Sequence, residues 1–181
     1  MRPLRRGATA ACAVLALAAC AQLAPLGDRS GLVFELTGRF AVHTDKDAVS
    51  GRLAWRHAAA GDELLVTSAL GQGLARLERD AGGARLVDAE GREHRAPDAE
   101  SLAERVLGYR LPLAGLAHWV RGQPAEGPAE EKRDAAGRLT WLRQHGWTVE
   151  YLGWEESEAR PTRLRLGYPG LELRLAIDAW R

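Results

Sequence analysis

The sequence predicts an α+β fold in which helices cover one face or mouth of a curved antiparallel sheet. Three observations carry this. Short segments with apolar residues at every second position recur from Phe34 to Ala89 and again from Leu139 to Ile177, the pattern of strands with one buried face. Short turns rich in Gly, Asp and Pro join neighbouring segments, so the strands pair antiparallel. Between the two blocks the apolar period lengthens to that of a helix, and helices grouped in this way belong to α+β architecture.

In the first strand Phe34, Leu36, Phe40 and Val42 alternate with Glu35, Thr37, Arg39 and His43. Thr44-Asp45-Lys46-Asp47 then turns the chain, as its composition favours. Val49, Gly51, Leu53 and Trp55 alternate with Ser50, Arg52 and Arg56 in the second strand. Ala60-Gly61-Asp62 leads into a third over 63–70, which Gly71-Gln72-Gly73 breaks. Two more short strands, 74–79 and 85–89, flank Gly82-Gly83. Pro97-Asp98 opens a helix over 98–107, with Leu102, Ala103, Val106 and Leu107 on one face and Gly108 behind it, the usual punctuation of helix ends. A second helix over 113–121 has Pro112 ahead and Gly122 behind. Residues 123–137, rich in Pro, Gly, Ala and charge, read as a long loop. Strands over 139–144, 147–154, 162–168 and 171–177 follow.

The amino-terminal segment is of another kind. Arg2, Arg5 and Arg6 precede an uncharged apolar run over 8–19, the layout of a secretory signal too short to span a bilayer. The run ends in Leu17-Ala18-Ala19-Cys20, which resembles the lipobox of bacterial lipoproteins. Cys12 has too little apolar sequence before it to serve. The alternative is an ordinary secreted protein cut near Cys20. The expected organisation is a signal peptide over 1–19, a lipidated tether over 20–33 and one domain over 34–181. Ala21 rather than Asp follows Cys20, which points to the outer membrane. No long apolar run follows the signal, so the body is expected to be tethered rather than spanning.

Composition narrows the function. The chain of 181 residues carries a formal charge of +1, and loss of the three signal arginines leaves about −2. That balance argues against nucleic acid, which calls for a basic patch interleaved with aromatics. Cys12 and Cys20 are the two cysteines, so the domain itself has no disulfide and no thiolate ligand. The five histidines show no H-x₃-H spacing and no G-x-S-x-G elbow is present. Gly71-Gln72-Gly73 lacks the rest of a phosphate loop. No enzyme activity, cofactor or metal is expected. The six tryptophans read either as an aromatic core or as lining of a cavity. Trp147 and Trp154 have opposite parity on one strand and share a face only if a bulge intervenes at Gly153. Leu70, running straight from a strand into glycines, is either folded back into the core or exposed for contact.

Five segments, taken in order, resemble the family of the outer-membrane lipoprotein receptor LolB. They are Leu36-Thr37-Gly38-Arg39-Phe40-Ala41, 64–71, Leu111-Pro112-Leu113 through Trp119 to Gly122, Gly146-Trp147-Thr148-Val149-Glu150-Tyr151, and 173–180. The resemblance implies an incomplete curved antiparallel β-barrel with a helical lid and a central apolar cavity. It implies a monomer, lipid-anchored at the periplasmic face of the outer membrane. Such a receptor takes acylated lipoproteins from the periplasmic carrier LolA and inserts them into outer-membrane lipid. The family's protruding-loop leucine falls on Leu70, expected to meet the membrane, and its recurrent tryptophans fall on Trp55, Trp119, Trp147 and Trp180, which are expected to line the cavity. Residues 21–33 depart from the family, being too short and Gly-broken for the helix it carries ahead of its first strand. Two rivals stand beside this reading: a lipoprotein that binds another apolar ligand, and a membrane-anchored hydrolase.

Overall fold

The computed structural model describes residues 31–108, 110–157 and 159–181. The expected signal peptide, Cys20 and most of the expected tether lie outside the described residues. The elements are β1 (Leu32–Thr44), β2 (Ala48–Ala58), β3 (Gly61–Thr67), β4 (Gly73–Asp80), β5 (Gly83–Asp88) and β6 (Glu93–Ala96), then α1 (Ala99–Leu107) and α2 (Leu113–Trp119). After them come β7 (Glu130–Arg133), β8 (Leu139–Gln144), β9 (Trp147–Trp154), β10 (Pro161–Tyr168) and β11 (Leu171–Trp180). All the strands lie in one sheet of order β6-β5-β4-β3-β2-β1-β11-β10-β9-β8-β7. Neighbours pair antiparallel, and the sheet does not close: β6 and β7 are its edges.

Several boundaries differ from the sequence expectation. β1 starts at Leu32 and so takes the last two residues of the expected tether. β3 stops at Thr67 rather than Leu70, because the Ser68 N–H bonds the Gln72 carbonyl at 2.8 Å and the Gly71 N–H bonds the Ser68 carbonyl at 3.0 Å. α2 ends at Trp119, two residues early, with Gly122 at φ +73°. β6 and β7 were not expected. Glu93-His94-Arg95-Ala96 and Glu130-Glu131-Lys132-Arg133 are short and largely exposed. An edge strand with little to bury carries no apolar period, and charge there discourages pairing with another chain.

One face of the sheet holds the core. Phe34, Leu36, Trp55, Leu86, Val149, Leu164, Leu166 and Leu175 are buried there, together with Leu102 of α1 and Leu113, Leu116 and Trp119 of α2. α1 is built as its ends required. Asp98 caps it, accepting from the Ser101 N–H at 2.7 Å, and Gly108 closes it in the left-handed region at φ +82°. The opposite face carries charge. Glu35, Arg56, Glu63, Glu78, Arg85 and Arg95 stand in register across β1 to β6. Arg56 reaches Glu35 at 3.4 Å and Glu63 at 3.5 Å, Arg76 reaches Glu63 at 3.1 Å, and Arg85 joins Glu78 to Glu93.

Candidate functional site

An apolar pocket of about 340 Å³ lies between the sheet and the helices. Its strand wall comes from inward positions of β1 to β5 and β11, among them Phe40, Leu53, Trp55, Leu64, Leu77 and Leu175. Its helical wall comes from Ala99, Ala103 and Val106 of α1, then Leu113, Leu116 and the cap residue Val120 of α2. The three- and four-residue spacing of these positions puts them on one side of each helix. Among the described residues, Asp88 is the one ionisable residue in the lining. Hydrogen bonds from His94, and then from the Arg92 backbone and side chain, hold its carboxyl down to about 2, so it is ionised at neutral pH. Val49 is half exposed and marks where the pocket meets solvent near the β1–β2 turn.

Of the four tryptophans expected along a cavity, Trp55 lines this pocket and Trp119, Trp147 and Trp180 do not. Each of those three has found a place in packed protein. Trp119 is fully buried, and its indole N–H donates to Gln144 Oε1 at 3.0 Å. Trp147 lies 6.3 Å from Trp119 and 5.1 Å from Tyr168, ring centre to ring centre. Trp180 donates to the Pro161 carbonyl at 3.2 Å and packs edge-on against Phe34. The parity conflict on β9 resolves through a bulge. Tyr151 pairs with Leu164 while Gly153 pairs with Arg163, so an extra residue on β9 brings Trp154 into a stack on Tyr151 at 5.4 Å.

Trp55 sits in a polar clamp. Its indole N–H donates to Asp62 Oδ1 at 2.8 Å, and His57 Nδ1 lies 2.7 Å from the same oxygen. Arg79 Nε donates to Asp62 Oδ2 at 2.6 Å. Asp62 is buried. Burial alone would raise its pKa, but the hydrogen bonds from His57, Trp55 and Arg79 outweigh it and hold the carboxyl below its ordinary value. A buried carboxylate persists when its lone pairs are occupied in this way. The residues missed from sequence are the pocket's small and aliphatic ones. Their signal was present in the shared parity of Leu53 with Trp55 and in the spacing of Ala99, Ala103 and Val106, but it is indistinguishable from that of an ordinary core.

Leu70 lies at the tip between β3 and β4 and is 91 % exposed. The glycines after it open the turn, with Gly71 at φ +86°. It is not part of the pocket wall. No group of three or more His, Cys, Asp or Glu is arranged to hold a metal ion among the described residues.

Comparison with known proteins places this geometry in a family context. The family described as outer membrane lipoprotein LolB matches residues 33–180. A protein named outer-membrane lipoprotein LolB from Azoarcus sp. is 40 % identical, over 99 % of this chain and 98 % of that protein. One of the same name from Thiobacillus denitrificans is 38 % identical, over 98 % of each. Among solved structures, a LolA superfamily protein from Nitrosomonas europaea aligns with a TM-score of 0.46 at 11 % identity, over 81 % of this chain and 85 % of that one.

Proposed function

The chain belongs to the outer membrane lipoprotein LolB family, and from that premise we propose that it accepts lipoproteins from a periplasmic LolA-type carrier and inserts them into the outer membrane. It is a lipid-anchored protein of the outer membrane, as its relatives are named. The observation that carries the proposal is the 340 Å³ pocket with apolar walls on strands and helices alike. Burying a methylene is worth about 0.8 kcal/mol, so exposing one acyl chain to water costs on the order of 10 kcal/mol. A dry concave surface removes that cost. The open sheet supplies such a surface while its backbone stays hydrogen-bonded, and α1 and α2 serve as its lid. The volume sits near the lower end of ligand sites, about 300–1,000 Å³, which suits a single chain. Transfer then runs down an affinity gradient from carrier to receptor to bilayer.

Two further roles complete the reading. Cys20 carries the anchoring lipid and residues 20–31 tether the domain, as the Leu17-Ala18-Ala19-Cys20 ending suggests. The intact mass of protein purified from membranes should show acyl groups on a chain that begins at Cys20; an unmodified terminus elsewhere removes this assignment. Leu70 is the apolar foot that meets the bilayer, a role suited to its exposure at a hairpin tip.

The whole reading is tested by reconstitution. Full-length protein in phospholipid vesicles is mixed with a purified carrier–lipoprotein complex, and the cargo sedimenting with the vesicles is measured. Cargo should leave the carrier and enter vesicles that contain the protein, and stay on the carrier with empty ones. Equal transfer to both defeats the proposal. Binding of a free fatty acid with no withdrawal of cargo would favour a lipoprotein serving another apolar ligand.

A further inference from the structure

The apolar pocket has a wall that is held from its far side. Trp55 lines the pocket, whereas Asp62, which accepts the Trp55 indole N–H at 2.8 Å, lines a second pocket of about 590 Å³. The second pocket lies among the β2–β3 and β4–β5 hairpins, beside Arg79, Asp80 and Arg85, and meets water at exposed Ala60, Asp80 and Gly82. Trp55 therefore stands between apolar and polar space, and its hydrogen bond comes from the polar side.

The hairpin makes this arrangement without distortion. Asp62 pairs with His57 across the strands, and Leu64, two residues on, pairs with Trp55. Inward-facing neighbours two apart on a strand lie close enough for an indole edge to meet a carboxylate diagonally across the ladder. His57 and Arg79 fix the carboxylate in turn, so the indole has one acceptor in one place. A buried N–H without an acceptor costs about 1–3 kcal/mol. An indole deprived of Asp62 would turn its N–H toward the wet pocket and carry the ring out of the apolar wall.

We propose that Asp62 is a positioning residue that holds the Trp55 ring as the closed end of the acyl site, so that a chain enters and leaves only at the opposite end, past Val49 and Leu74. Both of these line the pocket beside the turns at 45–47 and 68–72, the end at which Leu70 protrudes. This rests on the reading of the pocket as an acyl site. It adds a direction: a site closed at one end delivers its occupant toward the same end that carries the exposed leucine.

The test uses the full-length protein, cis-parinaric acid as the fluorescent acyl probe, and hydrogen exchange of the Trp55 indole N–H by NMR, its resonance identified by its absence in Trp55→Phe. In the wild type the indole N–H should exchange slowly. Asp62→Ala should keep the circular dichroism of the fold, bind the probe about tenfold more weakly, the scale of one lost hydrogen bond to a charged group, and expose the Trp55 N–H to exchange. Asp62→Asn keeps an acceptor oxygen and should restore most of both. A folded Asp62→Ala that binds normally with Trp55 still protected overturns the proposal. If Asp62→Ala does not fold, a fast-exchanging indole in the wild type overturns it by itself, and a slow one with normal binding in Asp62→Asn supports it. A wild type that binds no probe defeats the acyl-site reading and this inference with it, an outcome distinct from normal binding in all variants.

Discussion

Leu70 and the tryptophans show what a single residue reveals before its structure is known. Ser68 N–H bonds the Gln72 carbonyl and the Ser68 hydroxyl accepts from the Gln72 N–H at 3.2 Å, so the turn is self-contained and Leu70 contributes nothing to the core. Leu70→Glu should therefore leave stability within about 0.5 kcal/mol of wild type, and acceptance of cargo from the carrier should survive. Delivery into vesicles should fall to the level of empty ones, because a carboxylate replaces the apolar group at the lipid surface. Chemical denaturation and the vesicle assay read these separately. Unfolding would mean that Leu70 packs in the core, and normal delivery would mean that the tip has no part in insertion. The residues around Leu70 left it between core and tip, since an apolar residue before glycines fits either; the family resemblance put it on a protruding loop, and it is exposed there. The sites of Trp119, Trp147 and Trp180 were not. An indole looks the same in sequence whether it borders a cavity or, as with Trp119 and Gln144, finds its acceptor inside packed protein.

At the scale of the elements, the helices were legible where end chemistry spoke and blurred where it did not. Asp98, Ser101 and Gly108 fix α1 at both ends, whereas α2 has Pro112 at its start without a side-chain cap. What stops the chain after α2 is Gly122. Its φ of +73° disfavours any side chain, and a Cβ there would lie 2.4 Å from the Trp154 ring. Gly122→Ala should lower stability by at least about 1 kcal/mol, seen as a lower urea midpoint with an unchanged slope. An unchanged midpoint would show that the Trp154 ring yields without cost and that this junction is loose. The missed strands have the opposite lesson. β6 and β7 are held by backbone pairing to β5 and β8, an interaction open to every residue type but proline, so nothing in their side chains announced them. Bulges were equally silent: parity raised the question at Gly153, and only the register answered it.

Across the whole molecule, the alternation of strand blocks and helices was enough to set the class, but not the strand count or the order of the sheet. The first five hairpin-linked strands and the final four could be read singly. That β1 and β11 lie side by side at the centre could not, because their partners are far apart in the chain: Phe40 opposes Leu175 and Val42 opposes Leu173. This pairing has a kinetic consequence. The two wings of the sheet, β2 to β6 and β7 to β10, are assembled from local hairpins and can form early, whereas the seam that unites them needs residues separated by most of the domain. A chain crossing a membrane amino end first would complete its middle last, and until then no continuous wall exists on which a greasy passenger could be held. Loss of β11 would accordingly not trim the sheet at a margin; it would divide it into two halves.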